Sequence, residues 1–168
     1  MEIKLIICTT TKFLVGDANP TSKNGMSWYS KEELQYFKQC TVGHTVVFGE
    51  NTSKLVPLDL MKKDRNIEIL SPNNNWESII NKYKDTEETI FICGGYTVYK
   101  WFLNECIKND FKYPFDLSSI YLSILNSHVS VIPPNKPLYL DEIREILKNF
   151  STHKEVKYND FIAYVYEK

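Results

Sequence analysis

Residues 90–93 form a short apolar run of strand type that stops at two adjacent glycines. A helical pattern begins at once behind them, in the stretch "TIFICGGYTVYKWFLNEC". Val98, Tyr99, Phe102, Leu103 and Cys106 recur at the spacing of one helix face. A strand feeding directly into an amphipathic helix leaves few folds open, because the helix must lie back on the sheet to bury that face. The chain has only six glycines, and no Asn or Asp turn partner accompanies these two. Such a turn presents a helix N-terminus, with its unpaired amides and positive dipole end, to an anion.

The alternation continues along the chain. "IKLIICTTT" reads as an opening strand, apolar enough to be buried on both faces. The turn-rich "VGDANPTSKNGMSW" follows. Ser30 then precedes "KEELQYFKQC", where Ser30 and Glu33 have capping-box spacing and Leu34, Phe37 and Cys40 make an apolar stripe. "TVVFG" and "NIEILS" read as strands, residues 52–61 as a short weak helix, and residues 76–83 as another helix. "SSIYLSIL" is a further strand, and the tail reads as a hairpin turning near Asn159 and Asp160. Strands alternating with helices imply an α/β fold with a parallel sheet, to which the hairpin adds antiparallel strands. No repeat or linker divides the 168 residues, so one domain is expected.

A formal charge of −1 gives no electrostatic footprint for nucleic acid. Cys8, Cys40, Cys93 and Cys106 lack metal-binding spacing, and His44, His128 and His153 are scattered, so no metal site is expected. No signal peptide or bilayer-length apolar span is read, which makes a cytoplasmic location the expectation.

Glu33 has two readings. It can complete the capping box with Ser30, or its carboxylate can face a cavity and pair with an amidine-like donor set on a ligand. Helix position alone does not choose between them.

Taken in order, "LIICTTTKFLVG", "GMSWYSKEELQYFK", "TVVFG", "RNIEILS" and "ICGGYTVYKWFL" resemble dihydrofolate reductase. The resemblance runs from about residue 5 to residue 103 and continues more loosely through "IYLSIL" to the hairpin. It implies that family's single-domain fold, with a mostly parallel central sheet, flanking helices and an antiparallel C-terminal hairpin. It implies an oxidoreductase that passes hydride from NADPH to C6 of 7,8-dihydrofolate, while a proton reaches N5 through water. The product, 5,6,7,8-tetrahydrofolate, would serve one-carbon and thymidylate metabolism. The resemblance also implies a monomer, open to antifolates.

Residue by residue, the family's pocket acid falls on Glu33, which would bind the pterin N3 and 2-amino group and have its pKa raised by burial. Leu34 and Phe37 match positions lining the pterin and aminobenzoate rings. Trp28 matches the tryptophan near the water serving the carboxylate, and Ser123 replaces a threonine that hydrogen-bonds that carboxylate. Arg65 aligns with the arginine that forks onto the substrate's α-carboxylate. The backbone carbonyls of Ile6 and Cys93 would hold the pterin amino group. For the cofactor the resemblance implies Cys8, Val15 and Gly16, then Gly49, Glu50, Asn51 and Thr52, and then Ser71. Gly94 and Gly95 would carry a cis peptide. Tyr96, Thr97 and Val98 would take the pyrophosphate, with Tyr99 near the nicotinamide.

Three departures stand out. Glu50 and Asn51 follow Gly49 where the family usually has a basic residue, which should weaken or reverse preference for NADPH over NADH; Ser71 and Lys54 are the remaining candidates for a phosphate. The loop "GDANPTSKNGMSW" is longer than usual, with Ser27 in place of a proline, so slow turnover is expected. The Gly-Asp motif that normally supplies the loop's latching acid is replaced by "PPNKPLYLDE", and Asp141 is not expected to substitute. Two alternatives stay open. One is a same-fold reductase of a ribosylated pyrimidine in riboflavin synthesis, which would need neither Glu33 nor Arg65. The other is a non-catalytic binding or structural module that keeps the fold.

Overall fold

The protein is described by a computed structural model covering residues 1–168. The chain opens with β1 (Glu2–Thr9) and β2 (Leu14–Asp17), then α1 (Lys31–Thr41), β3 (Thr45–Gly49), α2 (Glu50–Ser53) and α3 (Leu58–Met61). It continues through β4 (Asn66–Leu70), α4 (Trp76–Tyr83), β5 (Thr89–Ile92), α5 (Tyr96–Lys108) and β6 (Leu117–Leu125). It closes with β7 (Pro137–Tyr139), α6 (Glu142–Leu147), β8 (Ser151–Lys157) and β9 (Phe161–Glu167). Seven strands form one sheet in the order β4-β3-β5-β1-β6-β9-β8, while β2 and β7 form a separate ribbon. β1, β3, β4, β5 and β6 pair in parallel, and β9 runs antiparallel to both β6 and β8. The mostly parallel α/β architecture and its C-terminal hairpin match the sequence reading.

β1 shows why the sheet is covered on both sides. Ile3, Leu5 and Ile7 pack with Phe102, Leu103 and Cys106 of α5 on one face. Ile6 packs on the other with Phe48, Phe91 and Met61. Each aliphatic side chain buried in this way contributes roughly 1.5–3 kcal/mol, which favours β1 at the centre of the sheet.

Crossovers leave the strands' carboxyl ends pointing the same way, and loops there form a crevice beside the switch in strand order. Ile6 to Cys8 of β1, Phe48 and Gly49 of β3, Leu70 of β4 and Cys93 after β5 all reach that crevice.

Two local expectations are corrected. Residues 52–61 are not one helix. α2 and α3 are separated at Pro57, and the residue before a proline is biased out of helical geometry. The capping box forms only by half. The Ser30 hydroxyl accepts the Glu33 amide at 3.1 Å, but no hydrogen bond from the Ser30 amide engages the Glu33 carboxylate. β2, β7 and α6 are additions to the sequence reading.

Candidate functional site

The crevice opens into a continuous cavity of about 1260 Å³. One wall is α1, whose N-terminus is anchored from a distant part of the chain. While Ser30 caps the helix, its hydroxyl donates to Asp160 Oδ2 at 2.6 Å. The Asp160 amide donates to Glu32 Oε1 at 2.8 Å, and His128 Nε2 lies 3.3 Å from Asp160 Oδ1. Because the Ser30 proton is committed to Asp160, its lone pair is turned to the Glu33 amide. The β8–β9 turn therefore fixes the first turn of the helix that carries Glu33.

Glu33 lines the cavity with its carboxylate crowded by protein and paired with none. Burial pushes its pKa up to about 7. Around it stand the Cys8 thiol and the Tyr99 hydroxyl. Burial and then the Glu33 charge push the Cys8 thiol well up, against a smaller opposing effect of the Trp28 indole. Tyr99 is likewise pushed well up by burial first and then by Cys93, Glu33 and Cys8. The Tyr99 hydroxyl donates to the Ile6 carbonyl at 2.7 Å. These groups stay neutral, so Glu33 is the ionisable group of this region that titrates near neutrality.

Leu34 and Phe37 lie along the same cavity wall. Leu34 is 47% exposed and so is a lining residue more than a core one. Arg65 is buried at the start of β4, where it lines the cavity. Its Nε donates to Asp64 Oδ1 at 2.8 Å and its Nη1 to Thr41 Oγ1 at 3.1 Å. Two of the guanidinium N–H groups are thus used to hold the fork, and the rest are left for an acceptor.

At the other end, two glycine turns meet. The Gly49 amide donates to the Gly94 carbonyl at 2.8 Å, and Gly94 and Gly95 are joined by a cis peptide bond. Gly94 has φ +117°, a region that favours glycine, and a Cβ there would sit 3.0 Å from the Tyr99 ring. A Cβ on Gly95 would come within 2.5 Å of Thr52 Oγ1. α5 starts at Tyr96 with no side chain capping it and no acid in its first turn. The amides of Tyr96, Thr97 and Val98 therefore face the cavity without intrahelical acceptors. This donor set suits a pyrophosphate.

Glu50, Asn51 and Thr52 of α2, Ser71 beyond β4, and Val15 and Gly16 of β2 line the same region. Ser71 Oγ already accepts the Asn74 amide at 3.2 Å. Lys54, at the C-terminus of α2, does not line the cavity. Lys38 and Arg65 are the only cationic side chains that do. Both lie on the α1–β4 side, and none stands beside Glu50.

Besides Lys54, two sequence-predicted residues lie apart from the wall. Gly94 sits behind it, and Ser123, buried on β6 beside Cys8, makes no hydrogen bond to Glu33. Other lining residues were not foreseen, among them Lys38, Leu55, Leu60 and Met26. Lys38 lies four residues after Leu34 on the same helix face, a signal that was available. The exposure of Met26, Leu55 and Leu60, at 43%, 54% and 57%, becomes visible only with the fold.

The dihydrofolate reductase family model matches residues 2–110. Among curated proteins, the dihydrofolate reductase of Ureaplasma parvum is 26% identical, over 98% of this chain and 96% of its own length. That of Mycoplasma genitalium is 30% identical over 51% of this chain and 62% of its own length. That of Haemophilus influenzae is 27% identical over 56% of this chain and 61% of its own length.

Proposed function

The chain belongs to the dihydrofolate reductase family and reduces 7,8-dihydrofolate to 5,6,7,8-tetrahydrofolate, and we propose that Glu33 is the acid on which this reduction turns. The observation that carries the assignment is a carboxylate without a protein partner, on an apolar cavity wall, titrating at about 7. That carboxylate would pair with the pterin N3 and 2-amino group, orient the ring, and favour protonation at N5 by water. Trp28, which lines the wall beside Cys8, would stand near the water serving that carboxylate. Leu34 and Phe37 would flank the rings, and Arg65 would fork onto the substrate's α-carboxylate. The carbonyls of Ile6 and Cys93 would accept from the pterin amino group, the former already shared with Tyr99. Ser123 would reach Glu33 only through water or a side-chain shift.

The family draws its hydride from NADPH, and a bound nicotinamide would supply that hydride, itself being oxidised. The amides of Tyr96, Thr97 and Val98 would hold the pyrophosphate, with Gly49, Gly94 and Gly95 keeping the backbones close. Cys8, Val15, Gly16 and Tyr99 would border the nicotinamide, and Asn51, Thr52 and Ser71 the adenosine side. A 2′-phosphate would meet Glu50 and no cation. Discrimination against NADH is therefore weak in this protein, and NADH is accepted as well as NADPH.

No helix is long and apolar enough to cross a membrane. We place the protein in the cytoplasm, acting as a monomer of one domain across residues 1–168 and open to antifolates through the Glu33 carboxylate. The deciding experiment is dihydrofolate-dependent oxidation of NADPH and NADH side by side, with Glu33→Gln as control. Turnover that collapses in the variant is expected. Equal turnover in both proteins would remove Glu33 from the chemistry.

A further inference from the structure

Glu68, in the middle of β4, is 6% exposed and does not reach the cavity. Its carboxylate joins two elements. Lys82 Nζ donates to both of its oxygens at 2.9 Å, and the Tyr83 hydroxyl donates to Oε2 at 2.6 Å, both from the last turn of α4. Burial opposes ionisation of Glu68, and the bonds from Tyr83, Lys82 and Asn74 outweigh it and hold the carboxyl below the usual carboxylate range. Asn74 belongs to the turn that joins β4 to α4. Its Nδ2 donates to Glu68 Oε1 and to the Ile69 carbonyl, each at 3.1 Å. Both neighbours only accept, so the Asn74 amide nitrogen must face them.

The stretch "SPNNNW" divides the work of that turn. The Ser71 amide donates to the Asn74 carbonyl at 3.2 Å, and the Asn74 amide to the Ser71 carbonyl at 3.1 Å. Asn75 Oδ1 accepts the Ser78 amide at 2.9 Å and so caps α4. With its side chain pinned on Glu68, Asn74 also brings its amide within 3.2 Å of Ser71 Oγ. That bond uses a lone pair of the hydroxyl and leaves its proton, which no protein group accepts. Ser71 and Asn75 both line the cavity, so the proton is available to an oxygen of a ligand.

We propose that Glu68 is a positioning residue for the dinucleotide, acting through Asn74 to hold the Ser71 hydroxyl as a donor to an oxygen on the adenosine side. The effect on the dinucleotide rests on the cofactor reading above, whereas the hold on the turn does not. A neutral donor serves a ribose hydroxyl and a phosphate alike, so the relay should support NADH and NADPH to the same degree. Loss of Glu68 also strands the Tyr83 hydroxyl, so the test cuts the relay at Asn74 as well.

The test uses the full chain with Glu68→Gln, Asn74→Ala, Ser71→Ala, Lys82→Met and the pair Ser71→Ala with Asn74→Ala. One readout is hydrogen exchange at the Asn74 amide in ligand-free protein. The other is the Kd for NADH and for NADPH by fluorescence titration. Asn74→Ala should speed that exchange about tenfold, and Glu68→Gln, which keeps one acceptor oxygen, about threefold, with the β3 amides unchanged. Both variants should weaken both dinucleotides about three- to tenfold and leave the dihydrofolate KM within about twofold. Where Ser71 is already alanine, Asn74→Ala should weaken binding less than about twofold further. Lys82→Met cuts a bond to α4 and not to the turn, so it should lower the Tm while exchange at Asn74 and both Kd values hold. Unchanged exchange at Asn74 in Glu68→Gln would overturn the relay. Weakening by Asn74→Ala that persists in full without the Ser71 hydroxyl would overturn the route through it. Lys82→Met weakening the dinucleotides as much as Glu68→Gln would reduce Glu68 to a stabilising group. A wild type that binds neither dinucleotide would refute the cofactor reading and leave the exchange result to decide the hold on the turn.

Discussion

Ser30 accepts the amide of Glu33 at 3.1 Å, and Glu33 does not return the bond. A reciprocal cap would have held the carboxylate at the helix end, exposed and of ordinary acidity. The Ser30–Asp160 bond fixes the cap from the far side, so the cap does not need the glutamate, and the carboxylate is released into the cavity. That release is costly, because the charged form loses water without gaining a partner.

The cost predicts a stability change of known sign. The folded pKa of Glu33 is raised to about 7 from an ordinary 4.5, so the folded state binds the proton more tightly than the unfolded one. Stability is therefore lost as pH rises from roughly 4.5 to 7, amounting to about 3 kcal/mol above that window. Glu33→Gln should raise the Tm at pH 8 by on the order of 5–10 °C and leave it unchanged below pH 4. Thermal denaturation at the two pH values measures this, and a lower Tm for the variant at pH 8 would contradict it.

Activity should carry the same titration. kcat/KM for dihydrofolate reports groups of the free enzyme, so its pH profile should break at a midpoint near 7. In Glu33→Gln that break should vanish together with most of the rate. A break that persists in the variant would assign the titration to another group.

Arg65 should act on the substrate's tail alone. Arg65→Lys loses the fork while keeping the charge, so the KM for dihydrofolate should rise about 10- to 100-fold, with kcat within about threefold. A dihydropteridine without the glutamyl tail separates this from general damage. Its kinetics should be the same in both proteins.

Gly95 is restricted by one atom. A methyl at that position meets Thr52 Oγ1 at 2.5 Å, while Thr52 Cβ is 3.8 Å away. Gly95→Ala should weaken cofactor binding at least tenfold, and adding Thr52→Ala should restore most of it by removing the crowding oxygen. Fluorescence titration with NADH and NADPH measures both, and no rescue in the double variant would place the constraint elsewhere.

Glu50 should set the cofactor preference. Glu50→Arg should lower the KM for NADPH at least tenfold while changing that for NADH less than threefold. An equal effect on both cofactors would show that the 2′-phosphate does not approach this residue.

What could be read from the sequence divides along physical lines. β1, β3, β5 and α5 announce themselves, because burial on two faces or one face imposes a period on the residues. Glu33, Arg65 and the two glycines follow from motifs that span a strand or helix end. β2 and β7 are four and three residues long, and each is stabilised by the other across more than a hundred positions. Nothing local could mark them. The same holds for the Asp160 clamp on Ser30, where both partners are unremarkable in their own neighbourhoods. Glu33 itself is ambiguous in the sequence because capping and ligand binding favour the same residue at the same helix position.

The cavity of about 1260 Å³ is larger than the usual ~300–1000 Å³ of a site for one small molecule, and no side chain partitions it. Two ligands sharing one undivided chamber complete each other's walls. Whatever free energy the first to arrive lends to the second, the second must return to the first. An inhibitor filling only the Glu33 end would then owe part of its affinity to the dinucleotide beside it, so its measured potency would be a property of the pair.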